Sequence, residues 1–249
     1  MDFTGKALVL RTGRFKEADV WLRLLSPSQG LFTAFAFGGL RSRRRFCGCL
    51  EPMNLSLFTV GQGRRGDYLM LQEGSLLNGF PGIKADAGRL GLAAHCLRFV
   101  EAFMEGPGEA RACFDLLVET LEVLEAGAGG GMLPAWFKAA AAFGEGYRPQ
   151  LATCGECGRG VQDFDTLRFF VQKGRVLCPA CAAGQGGAGG LAVTRGTLGA
   201  LDWVVTHRPA DWAGLSLDPR VARECRRVID EFVAFHLGLA WEDGSYRNV

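Results

Sequence analysis

Residues 18–39 read ADVWLRLLSPSQGLFTAFAFGG and contain two short apolar segments on either side of a turn. In the turn, Ser26-Pro27-Ser28-Gln29-Gly30, proline presets φ and glycine accepts a positive φ. In the second segment, apolar residues occupy both sets of alternating positions, so both faces of the predicted strand are largely apolar. The pattern predicts a β-hairpin in a small closed barrel that lies under a packed neighbour.

The first eighty residues contain three further segments of the same kind. They are rich in β-branched, aromatic and leucine residues and read GKALVLRT (5–12), NLSLFTVG (54–61) and GDYLMLQEG (66–74). Together with strands at 18–26 and 30–38, they predict a five-stranded OB-type β-barrel over residues 1–80. An SH3-like barrel would give the same local signals, so the pattern leaves these two topologies open.

Helical periodicity replaces the strand pattern from Lys84 onward. Two stripes predict an antiparallel helix pair, Leu90, Ala94, Leu97, Val100 and Met104 in the first and Phe114, Leu117, Leu121 and Leu124 in the second. Pro134 opens a third helix, and Asp218-Pro219 is a suitable start for a final amphipathic helix. A glycine-rich run at 184–190 is typical of a flexible connector.

Four of the nine cysteines have the spacing of a metal site. TCGECG and LCPAC place Cys154, Cys157, Cys178 and Cys181 as two C-x2-C pairs. Two such turns can complete a tetrahedral sulfur shell, and a closed shell predicts structural Zn²⁺ rather than catalytic metal. A redox dithiol pair and a metal-free chain with chance spacing are the alternatives. The other cysteines indicate core positions at Cys96, Cys113 and Cys225 and a strand end at Cys47 and Cys49.

These patterns predict an α+β multidomain protein. The barrel domain spans residues 1–80, and a helical domain spans 81–249 with a four-cysteine zinc knuckle inserted at 150–184.

The chain has no export signal and no apolar run long enough to cross a membrane, so we expect a cytoplasmic protein. His95, His207 and His236 lack ligand-spaced or catalytic companions, and no constellation for catalysis is found; we therefore expect no enzymatic activity.

Basic residues are concentrated at the N-terminal end. The net charge is +2, yet residues 1–80 hold eleven Lys or Arg against six Asp or Glu. LRSRRRF (40–46) places Arg41, Arg43, Arg44 and Arg45 together, and the track extends through Lys6, Arg11, Arg14, Lys16, Arg64 and Arg65. Such a surface suits phosphate binding that depends steeply on salt and little on sequence, although a solvated loop is the plainer interpretation. Phe15 or Phe46 would stack on bases if exposed, while core packing is the alternative.

The order of these parts resembles the RecO family, bacterial recombination mediators of the RecF pathway. The resemblance is carried by residues 5–46, by LQEG at the end of the fifth predicted strand, by LAAHCLRFVEAF, by YRPQLATCGECG and by GRVLCPAC. The chain departs from the family pattern in Pro-Ser-Gln-Gly, where many members carry a Thr-x-x-x-Gly turn, and in its WEDGSYRNV end.

The resemblance implies a non-enzymatic DNA repair and homologous recombination protein. Such a protein binds single- and double-stranded DNA without sequence specificity, anneals complementary strands and helps RecR load RecA onto strands coated by single-stranded DNA-binding protein (SSB). It would be associated with the nucleoid. Arg220, Arg223 and Arg227 share a face of the last helix, which is either a solvated face or a docking site for the acidic C-terminal tail of SSB.

Two other classes share some of these features. A zinc-stabilised RNA-binding or ribosome-associated adaptor would carry the same barrel and knuckle, but it would prefer structured RNA and lack annealing activity. A thiol-dependent enzyme would need reactive cysteines after metal saturation.

Overall fold

The structure is a computed structural model, and it describes residues 2–63, 68–104, 110–144, 148–185 and 189–249. The chain forms two compact units, Met1–Gly127 and Ala128–Val249. In the first unit, five strands close a barrel: β1 (Phe3–Arg14), β2 (Val20–Ser26), β3 (Gly30–Ala36), β4 (Leu55–Gln62) and β5 (Leu69–Asn78).

The strand order β1-β2-β3-β5-β4 is that of an OB-type barrel. All neighbours pair antiparallel except β3 and β5, which pair in parallel through Ala34 with Leu69 and Phe35 with Met70. This parallel pairing decides between the two topologies that the sequence leaves open. The OB-type prediction is confirmed.

Alternation along β2 and β3 separates the barrel core from its outer face. Ala34 and Ala36 are fully buried in the core, and their cross-strand partners are Leu22 and Val20. Phe35, between the two alanines, lies opposite Trp21 and belongs to the outer face. The two faces of β3 therefore differ: Ala34 and Ala36 fill the barrel interior, with Phe32 packed against the same core, whereas Phe35 lies outside.

Three helical segments complete the first unit: α1 (Pro81–Lys84), α2 (Ala87–Phe103) and α3 (Ala110–Glu125). The Glu125 carboxylate caps α1 because it accepts hydrogen bonds of 2.9 Å from the amides of Gly82 and Ile83. Helices α2 and α3 contact each other and the barrel strands, so the first compact unit includes them and extends to Gly127. Leu90, assigned to the apolar stripe of α2, is 38% exposed, whereas Leu97 and Val100 of the same stripe are buried, together with Cys96.

The second unit combines helices with a small sheet. Its elements are α4 (Leu133–Gly144), β6 (Gln150–Cys154), β7 (Thr166–Phe170), β8 (Arg175–Leu177), α5 (Pro179–Gly184), β9 (Leu191–Thr194), α6 (Arg195–Thr206), α7 (Pro209–Trp212), α8 (Pro219–Leu237), β10 (Leu239–Glu242) and β11 (Ser245–Asn248). Helices α4, α6 and α8 pack against one another, and the sheet order is β6-β8-β7-β9.

Two strand pairings in this unit go beyond the sequence prediction. Strand β9 follows the glycine-rich run and pairs with β7, so the knuckle sheet extends past residue 184. Strands β10 and β11 form a C-terminal hairpin. Its turn places Asp243 and Gly244 at φ values of 48° and 78°, which is the Asp-Gly chemistry of a type I′ turn.

A partly buried network joins α8 to the start of α6. One carboxylate oxygen of Glu224 accepts hydrogen bonds from the Thr194 amide at 2.8 Å, the Thr194 hydroxyl at 3.0 Å and the Thr197 hydroxyl at 2.6 Å. Thr194 is the N-cap residue of α6, so Glu224 fixes the helix start. No helix among the described residues has the length and apolar character needed to cross a membrane.

Candidate nucleic-acid interface and metal centre

The arginine-rich stretch forms an ordered loop at the end of β3, which we call the arginine loop (residues 38–45). Gly38 has a φ of 65°, a left-handed conformation that glycine adopts without strain, and a 3₁₀ turn over Gly39–Arg41 follows. The Gly38 amide donates to the Asp19 carboxylate at 2.8 Å, and the Leu40 amide donates to the Ala18 carbonyl at 3.1 Å. These bonds hold the arginine loop against the loop between β1 and β2.

The four arginines of this loop have different environments. Arg41 forms an exposed ion pair of 3.1 Å with Glu17, which is a weak interaction at a surface. Arg45 donates to the Phe37 carbonyl at 2.7 Å and lies over the Phe46 ring. Arg43 and Arg44 are exposed and have no hydrogen bond or ion pair with any part of the chain that the structure describes. Their guanidinium groups are available to a ligand.

Two other predicted basic residues lie next to the arginine loop. Arg14 ends β1 directly before the loop between β1 and β2. Lys16 lies within that loop, with its ammonium 5.5 Å from the centre of the Phe15 ring. The structure therefore brings Arg14 and Lys16 to the same end of the barrel as Arg43 and Arg44.

The remaining predicted residues are placed differently. Arg11 forms an ion pair of 3.4 Å with Glu101 and lies 5.0 Å from the centre of the Trp21 ring. Lys6 pairs across to Leu57 near the other end of β1, about 26 Å along the strand from Arg14 at the usual rise per residue. Lys6 is not part of the cluster that the arginine loop forms. Arg64 and Arg65 lie outside the described residues.

Four aromatic rings form a cluster on the outer face of the barrel, which we call the aromatic surface (Phe15, Phe35, Phe37 and Tyr68); Phe35 and Phe37 are half-buried in it. Phe35 and Phe37 are near-parallel, with centroids 6.3 Å apart and 22° between the rings. Phe15 and Tyr68 each meet both of these rings edge-on, at centroid distances between 5.3 and 6.0 Å. Phe15 is 41% exposed and Tyr68 is 37% exposed.

Sequence reasoning found only one member of the aromatic surface. Phe15 was a stacking candidate, and so was Phe46, but Phe46 is 3% exposed and lies in the barrel core. The stacking interpretation of Phe46 is therefore wrong. Arg23 on β2 was also missed; it donates to the Thr33 hydroxyl at 3.1 Å on the same outer face. The available signal was the alternation in VWLRLL, where Trp21 and Arg23 point away from the buried leucines.

The four cysteines of the knuckle converge in the second unit. Cys154 ends β6, Cys178 directly precedes α5, and the parallel pairing of β6 with β8 sets Cys154 opposite Val176, which brings the two turns together. The four sulfur atoms lie within 4.8 Å of one another, and the Cys157 and Cys178 sulfurs are 3.9 Å apart. A tetrahedral zinc ion with zinc–sulfur bonds of about 2.3 Å requires sulfur pairs about 3.8 Å apart, so this arrangement fits a metal ion.

The pKa values of the cysteines favour a bound cation. Burial raises the pKa of the Cys154 thiol, but backbone amides of Cys157, Cys178 and Glu156 outweigh burial and lower the pKa to about 6. Hydrogen bonds with the Cys178 and Cys157 side chains raise the pKa of Cys181 to about 12. One thiolate therefore forms readily in the protein alone, and a divalent cation would supply the charge that lets all four ionise.

The other cysteines do not form a second site. Cys96, Cys113 and Cys225 are buried in helices, as predicted. Cys47 and Cys49 lie in a turn rather than at a strand end; Cys47 is exposed and Cys49 is buried in the barrel core. Among the described residues, the knuckle cysteines are the one cluster of potential metal ligands.

The arginines of α8 are largely engaged within their own helix. Arg220 pairs with Glu224 and Arg227 pairs with Glu231, each at 2.9 Å. Arg223 is exposed and has no hydrogen bond or ion pair to the described ranges of the chain. The helix face thus offers one guanidinium group without an internal partner.

The fold and these sites define the class: an OB-type barrel protein with a basic loop and a four-cysteine knuckle in a helical second unit. The family model described as Recombination protein O N terminal matches residues 1–80, and the one described as Recombination protein O C terminal matches residues 84–243. The chain belongs to the RecO family of DNA repair proteins, and its role lies in DNA repair and recombination.

Relatives support this assignment along the whole chain. The chain is 43% identical over 250 residues to the DNA repair protein RecO of Maridesulfovibrio salexigens, covering 100% of both chains. It is 44% identical over 250 residues to that of Oleidesulfovibrio alaskensis, again covering 100% of both chains. For the protein from Lawsonia intracellularis the identity is 34% over 254 residues with the same coverage.

Proposed function

We propose that this chain is a non-enzymatic mediator of recombinational repair that binds single- and double-stranded DNA without sequence specificity and anneals complementary strands. The observation that carries the proposal is the environment of Arg43 and Arg44. Both guanidinium groups are exposed on a loop held by hydrogen bonds, and they have no partner in the described part of the chain. A loop that holds exposed guanidinium groups without internal partners is suited to phosphate binding.

The chemistry of this surface favours phosphate contacts over base readout. Each arginine that neutralises a phosphate releases condensed counterions, so affinity falls steeply as salt rises and depends little on sequence. Annealing follows from the same charge: two strands on one basic surface repel each other less and pair faster. Lys16 and Arg14 extend the positive charge along the barrel end.

The proposal includes partners and a location. The chain helps RecR load RecA onto SSB-coated single strands in the cytoplasm, at the nucleoid. The acidic C-terminal tail of SSB docks on the arginine face of α8, and Arg223 makes the main contact because Arg220 and Arg227 are already paired with glutamates. Membership of the RecO family supports these assignments.

The metal in the knuckle is structural Zn²⁺. Its support is the all-sulfur ligand set, because a closed thiolate shell suits zinc and leaves no position for water or substrate. When bound, the ion ties together two turns whose own apolar cluster is small.

The decisive experiment measures fluorescence anisotropy on labelled single strands of two unrelated sequences across a salt series, followed by strand annealing. We expect similar affinities for both sequences and a steep loss as salt rises. A variant with Arg41, Arg43, Arg44 and Arg45 all changed to Gln should lose annealing activity. Unchanged annealing would exclude this surface, whereas a preference for structured RNA without annealing would favour an RNA-binding adaptor.

Tail docking has its own test. Charge reversal by Arg223→Glu should weaken binding of an acidic SSB tail peptide, measured by calorimetry. Arg247→Glu is the matched control, because Arg247 is an exposed arginine that pairs with Asp243 on the C-terminal hairpin. Equal peptide affinity for wild type and Arg223→Glu would remove α8 as the docking site.

A further inference from the structure

The aromatic surface has the geometry of a stacking site for unpaired bases. Two near-parallel rings, Phe35 and Phe37, form its floor, and Phe15 and Tyr68 stand edge-on to this floor. Because Phe15 and Tyr68 contact Phe35 and Phe37 through their edges, the flat faces of Phe15 and Tyr68 are not covered by those two rings. Phe15 and Tyr68 are 41% and 37% exposed. Large exposed rings cost free energy in water, so two exposed rings that adjoin two half-buried ones on one face indicate a ligand.

The surroundings of these rings identify the kind of ligand. Lys16 lies beside Phe15, and the arginine loop begins directly after Phe37, where Arg45 bonds to the Phe37 carbonyl. Cations therefore border the rings, which is the combination that binds single-stranded nucleic acid: bases stack on aromatic faces while phosphates meet positive charge. A polyanion with flat apolar groups can both stack on the rings and pair with the cations. An apolar protein segment could contact the rings but would not pair with the cations.

The position in the fold supports the same ligand. Phe35 lies on β3, Phe15 lies in the loop between β1 and β2, and Tyr68 directly precedes β5. The β2–β3 face and the loops beside it are where OB-type barrels bind extended chains of nucleotides.

We infer that Phe15 and Tyr68 stack on unpaired bases and give this protein a preference for single strands with bases over phosphate charge alone. This inference rests on the proposed function because it uses the same ligand and the same end of the barrel. Duplex DNA keeps its bases stacked internally, so the aromatic surface contributes little to duplex binding.

The test compares a labelled oligothymidylate with an abasic oligonucleotide of the same length and charge. We expect wild type to bind the oligothymidylate more tightly, by about tenfold or more per stacked base. The double variant Phe15→Leu and Tyr68→Leu, which keeps apolar volume and so protects folding, should lose this preference. Its affinity for the abasic strand and for duplex DNA should stay unchanged, and so should the slope of affinity against salt.

The matched control is Phe235→Leu, because Phe235 is an aromatic residue of α8 with 55% exposure. Wild-type protein that binds both oligonucleotides equally would overturn the stacking inference and leave phosphate binding intact. A double variant that keeps the full preference would overturn it as well. Wild-type protein that binds neither oligonucleotide would overturn the proposed function itself.

Discussion

The Asp19 carboxylate accepts a hydrogen bond of 2.8 Å from the backbone amide of Gly38 and so joins the β1–β2 loop to the arginine loop. Each loop carries part of the proposed DNA surface: Phe15 and Lys16 in the first, and Arg43 and Arg44 in the second. The Asp19 carboxylate, together with the backbone bond from Leu40 to Ala18, therefore sets the spacing between the stacking residues and the phosphate-binding residues.

Replacement of Asp19 by Ala should lower both stability and DNA affinity. Loss of the partner leaves a half-buried amide unsatisfied, which costs about 1–3 kcal/mol of unfolding free energy. Urea unfolding and single-strand anisotropy measure the two effects. Asp19→Asn is the control, since the amide oxygen can still accept the Gly38 hydrogen bond. If Asp19→Ala matched wild type in both assays, the carboxylate would not order these loops.

Replacement of Arg43 and Arg44 by Gln should reduce the salt dependence of DNA binding without affecting folding. Two lost phosphate contacts lower the slope of log affinity against log salt by about 1.4 on single strands. Arg220→Gln with Arg227→Gln is the control, because those arginines are paired with glutamates on α8. An unchanged slope would show that phosphates contact other residues.

Phe46→Ala should affect stability rather than stacking. The ring is buried in the barrel core, and truncation of a buried phenylalanine costs about 3–5 kcal/mol. Chemical unfolding measures the loss, and DNA affinity per folded molecule should equal that of wild type. A stable Phe46→Ala protein with weak single-strand binding would contradict the buried position.

Purified protein should contain one zinc ion per chain, and chelation should disrupt the knuckle. Cys157→Ser removes one of the four ligands and should abolish stoichiometric zinc, measured by atomic emission together with near-ultraviolet circular dichroism. Cys47→Ser, at an exposed cysteine outside the cluster, should retain zinc. Equal zinc content in both variants would exclude the four-cysteine site.

Glu224→Gln should make stability less dependent on pH. Burial raises the pKa of Glu224, but hydrogen bonds with Thr197, Thr194 and Arg220 outweigh it and hold the pKa below its usual value. Because the folded-state pKa is the lower one, the carboxylate stabilises the fold above the ordinary glutamate pKa. This contribution is lost as pH falls through the folded-state pKa.

Thermal unfolding from pH 7 to pH 3 tests this contribution. The variant should be less stable at pH 7 by about 1.5–3 kcal/mol, the range for hydrogen bonds to a charged group, and the two proteins should converge in acid. A constant difference at all pH values would mean that the charge of Glu224 is unimportant.

The strands and the four-cysteine cluster could be predicted because their signals are local. Alternation and turn chemistry mark each barrel strand, and the C-x2-C spacing marks each half of the knuckle. The strand order could not be predicted, because the parallel pairing of β3 with β5 joins segments that are distant in sequence. The C-terminal hairpin has a typical turn sequence, Asp243-Gly244, but its strands of four residues are too short to show a clear alternation.

Burial explains the errors at the candidate DNA surface. Phe46 stands among arginines and cysteines in the sequence, yet the turn in which the Cys49 amide bonds to the Phe46 carbonyl lies over the barrel and buries both side chains. Phe35 and Phe37 alternate with Ala34 and Ala36, and both sets are apolar, so the alternation alone does not tell which set is in the core. The pairing of Phe35 with Trp21 shows that Phe35 faces outward. A single sequence does not specify which of two apolar faces is covered.

The short contact between β3 and β5 also bears on how the protein folds. It consists of two residue pairs, whereas β4 and β5 share eight. Local hairpins close early because their loops are short, and distant pairings with little contact close late. Phe35 and Tyr68 lie on opposite sides of this closure. The aromatic surface should therefore be complete only once β3 and β5 have paired, and molecules that lack this pairing should lack the preference for strands with bases.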